Sequence, residues 1–175
     1  SGIPGSIGGG LYMNAGAYGG EMSGICRSVT LMDGAGQLRE VNARELEFSY
    51  RHSKLQESGE IVISAVLQLQ PAAPEEIKQK MRELQAKRLA SQPLDYPSAG
   101  SAFKRPAGGY AAALIHQAGL RGFRVGQAAI ARKHAGFAVN LGGATAAEMR
   151  ELLTQVSDRV FRQTGIRLEP EIRIW

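Results

Sequence analysis

Within the first seventy residues, three segments are typical of β-strands, and residues 60–70 alternate with the period of two. Cys26–Met32 and residues 37–41 enclose an Asp-Gly-Ala-Gly sequence, and this pattern predicts a β-hairpin. Residues 60–70 predict the clearest strand, with a partly covered opposite face. The face expected to be the more apolar carries Ile61, Ile63, Ala65, Leu67 and Leu69.

The second half of the chain mixes helical periodicity with short apolar runs. Helices are predicted over residues 75–89, 110–118 and 145–165, and the last begins with a capping box made by Thr145 and Glu148. Strands are predicted over residues 123–131, 136–141 and 168–175, and a long loop over residues 96–109. Residues 71–74 mark a composition break that separates a domain 1–72 from a domain 73–175. The fold class that follows is α+β.

Glycine is concentrated at the start of the chain, where eight of the first twenty residues are glycine. Such a loop offers backbone N–H groups to an anion such as a phosphate. The same composition also suits a set of tight turns in a small sheet. Composition alone leaves both interpretations open.

The net charge of +5 and the sequence pI of about 9.6 favour an anionic partner. Nucleic acid is disfavoured, because only 6% of the residues are aromatic and they do not alternate with basic residues as stacking platforms require. The single cysteine, Cys26, excludes an intramolecular disulfide and is expected in the core. Because no signal peptide, bilayer-spanning run or metal-binding motif is recognised, a cytoplasmic protein without metal or membrane contact is expected.

Several polar side chains are candidates for chemistry. Glu171 is a carboxylate in an otherwise apolar segment, which makes it a candidate acid or electrostatic group. Arg51 is a reasonable countercharge for an anion, and Ser101 alone is typical of a turn. His116 lies in an apolar helix and is expected to be structural. A basic group that is either a diphosphate site or a solvated face comprises Lys104, Arg105, Arg121, Arg124, Arg132 and Lys133.

Five blocks of this sequence, in order, resemble the UDP-N-acetylenolpyruvoylglucosamine reductases, also called UDP-N-acetylmuramate dehydrogenases. The resemblance covers essentially the whole chain, and five ordered blocks make it specific. The uninterrupted run from Arg51 to Ser101 resembles the second type of this family. The blocks are GIPGSIGGGLYMNAGAYG at 2–19, YRHS at 50–53, QP at 92–93 with PSAGSAFKRP at 97–106, KHAGF at 133–137 with Asn140, and LEPEIR at 168–173.

The resemblance implies the second part of a vanillyl-alcohol-oxidase-type FAD-binding domain, followed by a small α+β substrate-binding domain. It also implies FAD and NADPH as cofactors and UDP-N-acetylglucosamine enolpyruvate as the substrate, in peptidoglycan precursor synthesis. No obligate protein partner is expected. Because the family's amino-terminal flavin subdomain has no counterpart here, the chain alone is expected to bind FAD poorly. A UDP-sugar-binding module without flavin chemistry is the alternative.

Roles carry over by resemblance onto individual residues. Arg51 and Glu171 match the residues that stabilise the charged intermediate, and Ser101 matches the proton donor. The substrate-binding positions implied are Tyr50, Lys104, Arg105 and His134. The cofactor-binding positions implied are Gly2, Ile3, Pro4, Gly5, Ser6, Gly8, Gly9, Asn14, Ala15, Gly16, Ala17 and Tyr18.

Overall fold

The computed structural model describes residues 2–3 and 5–174, and these fall into two compact units. The first unit is Ser1–Gln85 and the second is Ala86–Trp175. The division lies within a helix, Pro74–Ser91. The boundary expected at residues 72 and 73 stays a prediction. Within the described part of the chain, no helix is long and apolar enough to cross a membrane.

The first unit is built on a three-stranded antiparallel sheet in the order β4 (Leu38–Asn42), β3 (Cys26–Met32), β5 (Ile61–Leu67). The predicted hairpin is confirmed, because Val29 pairs with Val41 and Met32 with Leu38 across β3 and β4. Buried leucines and valines from the sheet, α1 and α2 form its core. The elements are α1 (Ile7–Tyr12), β1 (Gly16–Ala17), β2 (Gly20–Glu21), β3 (Cys26–Met32), β4 (Leu38–Asn42), α2 (Leu55–Ser58) and β5 (Ile61–Leu67).

The predicted apolar face of the strand at 60–70 is wrong. β5 ends at Leu67, and Ile61 and Ile63 are 58% and 51% exposed, whereas Val62 and Ala65 pack on the core. Leu31 pairs with Val62 but Thr30 pairs with Ser64, so one extra residue interrupts the ladder. Such a bulge reverses which positions face inward, and a strict period of two cannot anticipate it.

The glycine-rich segment is not a loop throughout, because residues 7–12 form the helix α1. Ser6 caps it by accepting a 3.0 Å hydrogen bond on Oγ from the Gly9 N–H. A Cβ built on Gly8 would lie 3.6 Å from the Val62 Cβ, so the helix runs close to β5. Packing on the sheet therefore overrides the low helix propensity of glycine.

The second unit is a four-stranded antiparallel sheet with helices on one face. Its strand order is β6 (Ser98–Ser101), β9 (Phe137–Asn140), β8 (Ala128–Ile130), β7 (Arg124–Val125). Its core joins α4 and α5 to the inner faces of β8 and β9, through side chains such as Ile115, Ile130 and Leu152. The elements are α3 (Pro74–Ser91), which begins in the first unit, then β6 (Ser98–Ser101), α4 (Ala111–Gln117), β7 (Arg124–Val125), β8 (Ala128–Ile130), β9 (Phe137–Asn140) and α5 (Ala146–Thr164).

The last helix is confirmed in detail. The Thr145 hydroxyl accepts from the Glu148 N–H at 3.1 Å, and the Glu148 carboxylate accepts from the Thr145 N–H at 2.9 Å. Gly165 ends the helix with a φ of 72°. Leu152, Val156 and Val160 are fully buried on its inner face, and the α+β class of the fold is confirmed.

Three predictions in this unit are wrong. The expected loop at 96–109 contains β6, and the expected strand at 123–131 is two strands, because Gly126 turns the chain with a φ of 54°. Residues 168–174 form only one isolated bridge, between Phe103 and Pro170, and Trp175 lies outside the described residues. A proline cannot donate to a ladder, and this shortens the pairing.

Candidate functional site

The predicted flavin segment begins with exposed backbone. Gly2 and Gly5 have φ values of 81° and 141°, which residues with a side chain rarely adopt, and Ile3 is exposed between them. A Cβ built on Gly5 would meet nothing within 4 Å, so the space beside it is open. Pro4 lies outside the described residues.

The glycines that follow have different surroundings. A Cβ on Gly9 would lie 3.3 Å from the Ser6 Oγ, which is a tight contact. A Cβ on Gly16 would lie 2.7 Å from both the Gly20 carbonyl oxygen and the Glu21 Cβ, which is a clash with the backbone of the neighbouring strand. Gly16 is therefore required by the fold of the first unit itself.

Ala15, Gly16, Ala17 and Tyr18 lie in a miniature hairpin. β1 and β2 pair Gly16 with Glu21, and Tyr18 and Gly19 form the turn with φ values of 54° and 84°. Two consecutive positive φ values are typical of the tight turn that matches strand twist. The Tyr18 ring stands exposed at its tip.

Asn14 is buried, with only 1% of the residue exposed. Its backbone φ is 42°. Its Nδ2 donates to the Ser49 carbonyl at 3.1 Å, and its Oδ1 accepts from the Ser23 N–H at 2.9 Å. Asn14 thus ties the end of α1 to the segment that carries Tyr50 and Arg51. Asparagine is among the few residues that adopt a left-handed φ readily.

Tyr50 and Arg51 stand at the tip of a four-residue turn. Ser49 and His52 exchange two backbone hydrogen bonds of 3.1 and 3.2 Å, and Arg51 has a φ of 54°. The Arg51 Nη2 donates to the Gly16 carbonyl at 3.3 Å, and its guanidinium lies 5.0 Å from the Tyr50 ring centroid. The structure therefore brings a predicted catalytic residue against the predicted flavin segment within the first unit.

Two supporting residues were not predicted from the sequence. The buried Ser53 hydroxyl and the Gln56 amide both donate to the Tyr12 carbonyl, each at 2.9 Å, and Gln56 also donates to the Arg51 carbonyl at 3.0 Å. They satisfy the end of α1 and hold the Arg51 backbone. In the sequence, the one indication of a role for Ser53 and Gln56 was that polar residues follow Arg51 directly.

Glu21 was also missed. Hydrogen bonds from Ser23 and Asn14, together with the nearby Arg51 charge, lower the pKa of its carboxyl. The Ser23 hydroxyl donates to Glu21 at 2.6 Å. A carboxylate is thereby held ionised near the Arg51 charge.

Ser101 and Glu171 lie on adjoining segments of the second unit. Ala102 follows Ser101, and its carbonyl accepts from the Glu171 N–H at 2.9 Å. The Ala102 N–H donates to the Gly136 carbonyl at 2.7 Å, so the turn carrying His134 joins the same place. Both Ser101 and Glu171 are half-buried. Ser101 and Glu171 are seventy positions apart in the sequence, and the backbone hydrogen bond between Glu171 and Ala102 brings their segments together.

Lys104 and Arg105 follow the same segment but have different partners. The Lys104 ammonium pairs with the Glu169 carboxylate at 2.5 Å, and the Lys104 backbone N–H donates to the Glu169 carbonyl at 2.8 Å. The Arg105 guanidinium lies 4.0 Å from the ring centroid of Tyr110. A phosphate that bound Lys104 would have to compete with Glu169.

His134 is seated by close contacts. Its Nδ1 accepts from the Gly136 N–H at 3.1 Å, and its ring meets the Phe137 ring edge to face at 5.0 Å. A Cβ on Gly136 would come within 2.9 Å of the His134 Cε1, so glycine is needed there. Burial, reinforced by the charge of Arg121, lowers the pKa of His134.

The basic group predicted as a possible diphosphate site is divided in the structure. Arg124 donates to Gln127 and Gly126, whereas Arg121 bonds the carbonyls of Arg132 and Lys133. Only Arg121 and Lys133 of the six line a common cavity, together with His116 and His134. His116 is exposed, and its Nδ1 accepts a 3.0 Å hydrogen bond from the Arg121 Nε. The structural role expected for it stays a prediction.

The segment before α1 is the part of the first unit that could hold the phosphates of a dinucleotide. The segment before α1 is exposed, and Gly2 and Gly5, which have positive φ values, carry no side chain that would obstruct a ligand approaching the backbone. It leads into a helix start, where backbone N–H groups favour an anion. Exposed Ile3 and Ile7 flank it with apolar surface. Gly2, Ile3, Gly5 and Ser6 are the residues best suited to such contacts.

The fold is of the α+β class, and candidate residues lie in both units: Arg51 in the first, and Ser101 and Glu171 in the second. Residues 92–175 match the family model described as UDP-N-acetylenolpyruvoylglucosamine reductase, C-terminal domain. The crystal structure of UDP-N-acetylenolpyruvylglucosamine reductase from Thermus caldophilus is similar, with a TM-score of 0.87 and 39% identity. The match covers 99% of this chain and 62% of that chain.

Curated relatives give the same result. The UDP-N-acetylenolpyruvoylglucosamine reductase of Agathobacter rectalis is 51% identical over 174 residues, and that of Lactiplantibacillus plantarum is 47% identical over 174. Each match covers 99% of this chain but only 55% and 58% of the relative, so the chain spans little more than half of their length. The resemblance is confirmed, and residues 92–175 match the family model of the C-terminal domain of these reductases.

Proposed function

We propose that this chain acts in the NADPH-dependent, FAD-mediated reduction of UDP-N-acetylglucosamine enolpyruvate to UDP-N-acetylmuramate. The reaction is a step of peptidoglycan precursor synthesis. The observation that carries the proposal is the meeting of Ser101 and Glu171 through the hydrogen bonds of Ala102, in a unit that matches the C-terminal domain of these reductases. The substrate and NADPH are the proposed partners, and the cytoplasmic location remains a prediction.

The bound flavin supplies the hydride that reduces the enolpyruvyl double bond. Addition of hydride to the terminal vinyl carbon moves negative charge toward the enolpyruvyl carboxylate. Fixed cations and hydrogen-bond donors at that carboxylate stabilise the charge most when they are already oriented. In the proposal Arg51 fills this role, and its orientation is supported by the bonds to Gly16 and from Gln56. Glu171 is the second electrostatic group.

Ser101 delivers the proton to the carbon beside the new C–H bond in this proposal. A serine hydroxyl is a very weak acid, so the role depends on a strongly basic intermediate and on a proton held in place. Ser101 ends β6 and pairs with Phe137, and the preceding Gly100 has a φ of 84°. This pairing gives the Ser101 backbone a defined position. Tyr50, Lys104, Arg105 and His134 are proposed substrate contacts.

We propose that the chain alone binds FAD weakly and turns over little. It spans 55–62% of the relatives and of the matched structure. The first unit also exposes the large apolar side chains of Ile61, Ile63 and Val66 along β5. Contiguous exposed apolar surface is typical of a surface that another segment covers. A yellow protein with stoichiometric FAD and NADPH-dependent turnover from this chain alone would contradict this part.

The function is tested by fusing the chain to the part of the Thermus caldophilus relative that lies outside the match. The fusion is expected to acquire flavin absorbance and to oxidise NADPH when the substrate is added. Binding of a UDP-sugar without flavin would instead support the UDP-sugar-binding module. A fusion that binds neither would remove the proposed function.

The role of Ser101 is tested by Ser101→Ala in the same fusion. NADPH is expected to reduce the flavin at the normal rate, while reoxidation by the substrate slows by about 10²-fold or more, as for loss of a general acid. Ser98→Ala is the matched control, because Ser98 lies on the same strand and is exposed. Normal reoxidation by Ser101→Ala would exclude Ser101 as the proton donor.

A further inference from the structure

The side chain of Gln56 binds the turn that carries Arg51 to the end of α1. The Gln56 Nε2 lies 2.9 Å from the Tyr12 carbonyl oxygen and 3.0 Å from the Arg51 carbonyl oxygen. Because carbonyl oxygens only accept hydrogen bonds, the end of the amide that faces both of them is the nitrogen, whose two hydrogens match the two acceptors. Gln56 and Tyr12 are 44 residues apart along the chain. The amide therefore joins two distant segments of the first unit.

Arg51 has a backbone conformation that a residue with a Cβ keeps only where its surroundings impose it. Its φ of 54° lies in the left-handed region, which is unfavourable for L-residues. Ser49 and His52 close the turn with backbone hydrogen bonds of 3.1 and 3.2 Å, which fix its two ends. The hydrogen bond from Gln56 holds the Arg51 carbonyl between those ends, so it fixes the orientation of the peptide group that follows Arg51.

The guanidinium of Arg51 depends on this backbone for its direction. Its Nη2 donates to the Gly16 carbonyl at 3.3 Å, which is longer than the usual range, and its carbon lies 5.0 Å from the Tyr50 ring centroid. The side chain is half-buried, so water weakens the cation–π contact. Contacts of this strength place the guanidinium accurately only when the backbone that carries it is itself fixed.

We propose that Gln56 is a positioning residue for Arg51. Its two hydrogen bonds hold the Arg51 turn against the end of α1 and so set the direction in which the guanidinium meets the substrate carboxylate. The inference rests on the proposed function, in which Arg51 stabilises the negative charge that hydride addition creates. Gln56 itself contacts no reacting atom in this scheme. Its loss is therefore expected to affect the step that needs Arg51 and to leave the reduction of the flavin unchanged.

Gln56→Met in the fusion tests this role, because methionine has nearly the same length but no donor. Reduction of the flavin by NADPH is expected at the normal rate, whereas reoxidation by the substrate is expected to slow about tenfold or more, since a small misplacement of an oriented group is costly. Gln79→Met is the matched control at an exposed position on α3, and it is expected to change neither rate. Normal reoxidation, or equal slowing of both half-reactions, would overturn the proposal.

An Arg51→Met background shows whether Gln56 acts through Arg51. Adding Gln56→Met to that variant is expected to change reoxidation by less than about twofold, because the group that Gln56 positions is already absent. A residue that only stabilised the fold would slow reoxidation in both backgrounds. A further loss of about tenfold in the Arg51→Met background would therefore contradict the positioning role.

Hydrogen exchange in the chain alone tests the positioning without flavin or substrate. Gln56→Met is expected to speed exchange of the His52 N–H, which closes the Arg51 turn, about fivefold or more and to leave exchange in β3 unchanged. Gln56→Asn, whose amide is one methylene closer to the backbone, carries the test if Gln56→Met does not fold. Unchanged exchange at His52 would overturn the proposal. A fusion that binds no flavin would instead remove the proposed function and leave the exchange result standing.

Discussion

The two units bury their apolar residues to very different degrees. Among the described residues, the first unit has six buried apolar residues in its core, whereas the main core of the second unit has fourteen, joined by a smaller cluster around Phe137 and Val139. The first unit also leaves Ile61, Ile63 and Val66 exposed on one strand. The second unit thus has the larger apolar core. The first unit has a smaller core and depends more on hydrogen bonds between loops, such as those of Asn14.

The largest expected effect is in the core of the second unit. Leu152→Ala removes a fully buried side chain from α5 and is expected to lower the free energy of unfolding by about 2–5 kcal/mol. Leu89→Ala, at an exposed position, is the control and is expected to change it by less than about 0.5 kcal/mol. Urea unfolding measures both. A loss below about 1 kcal/mol for Leu152→Ala would contradict the view that this core stabilises its unit.

Asn14→Ala tests whether hydrogen bonds hold the first unit. It removes two buried hydrogen bonds and leaves alanine at a φ of 42°, and the expected loss is about 2–3 kcal/mol. Asn14→Gly relieves the backbone strain but not the lost bonds, so it is expected to recover only part of the loss. Hydrogen exchange at Ser23 and at the turn of Tyr50 and Arg51 reports the effect. Full recovery by Asn14→Gly would assign the whole effect to the backbone.

Gly16→Ala and Gly8→Ala separate two glycines that the sequence assigns alike to flavin binding. At Gly16 an added Cβ meets the backbone of β2 at 2.7 Å, and a loss of about 1–3 kcal/mol is expected. At Gly8 it makes an ordinary 3.6 Å contact with Val62, so helix propensity favours alanine by up to about 1 kcal/mol. Thermal unfolding compares the two. Equal losses would show that close packing is not what requires Gly16.

His134 provides a smaller, electrostatic test in the second unit. Because burial and the Arg121 charge lower its pKa in the folded state, it is expected to titrate below the usual value of about 6.5. The unfolded chain then binds the proton more readily, so this group's contribution to stability is present above pH ~6.5 and is lost as the pH falls through the folded pKa. Arg121→Gln removes a positive charge and is expected to raise the pKa of His134. NMR titration measures it, and a fall in Arg121→Gln would contradict the assignment.

Much of the second unit could be predicted from the sequence, because its signals are local. The capping box of Thr145 and Glu148 and the stop at Gly165 depend on residues within one or two helical turns. In the first unit, the hairpin around residues 33–36 is likewise encoded locally, by a short turn between two β-rich segments. The predictions failed where a single glycine, such as Gly126, turned a run that reads as one strand.

The candidate site was predicted in part and by resemblance. The sequence offered Arg51, Ser101 and Glu171 as candidates, but their neighbours depend on pairing between distant segments. Gln56 and Ser53 support the Arg51 turn through the Tyr12 carbonyl, forty or more residues away. No local pattern marks such bonds. His116 was expected to be structural because its helix is apolar, but its exposure and its hydrogen bond from Arg121 depend on a residue beyond the helix.

The sequence by itself determined the α+β class, the hairpin, the last helix with both of its ends, and the family resemblance of five ordered blocks. Only the tertiary structure decided that α1 forms within a glycine-rich segment, that a bulge turns Val62 inward, and that His116, Arg121 and His134 share a cavity. The physical reason is the separation along the sequence of the residues that interact. Caps and turns involve residues a few positions apart, whereas packing, strand register and side-chain tethers are decided by groups that meet only after the chain has folded.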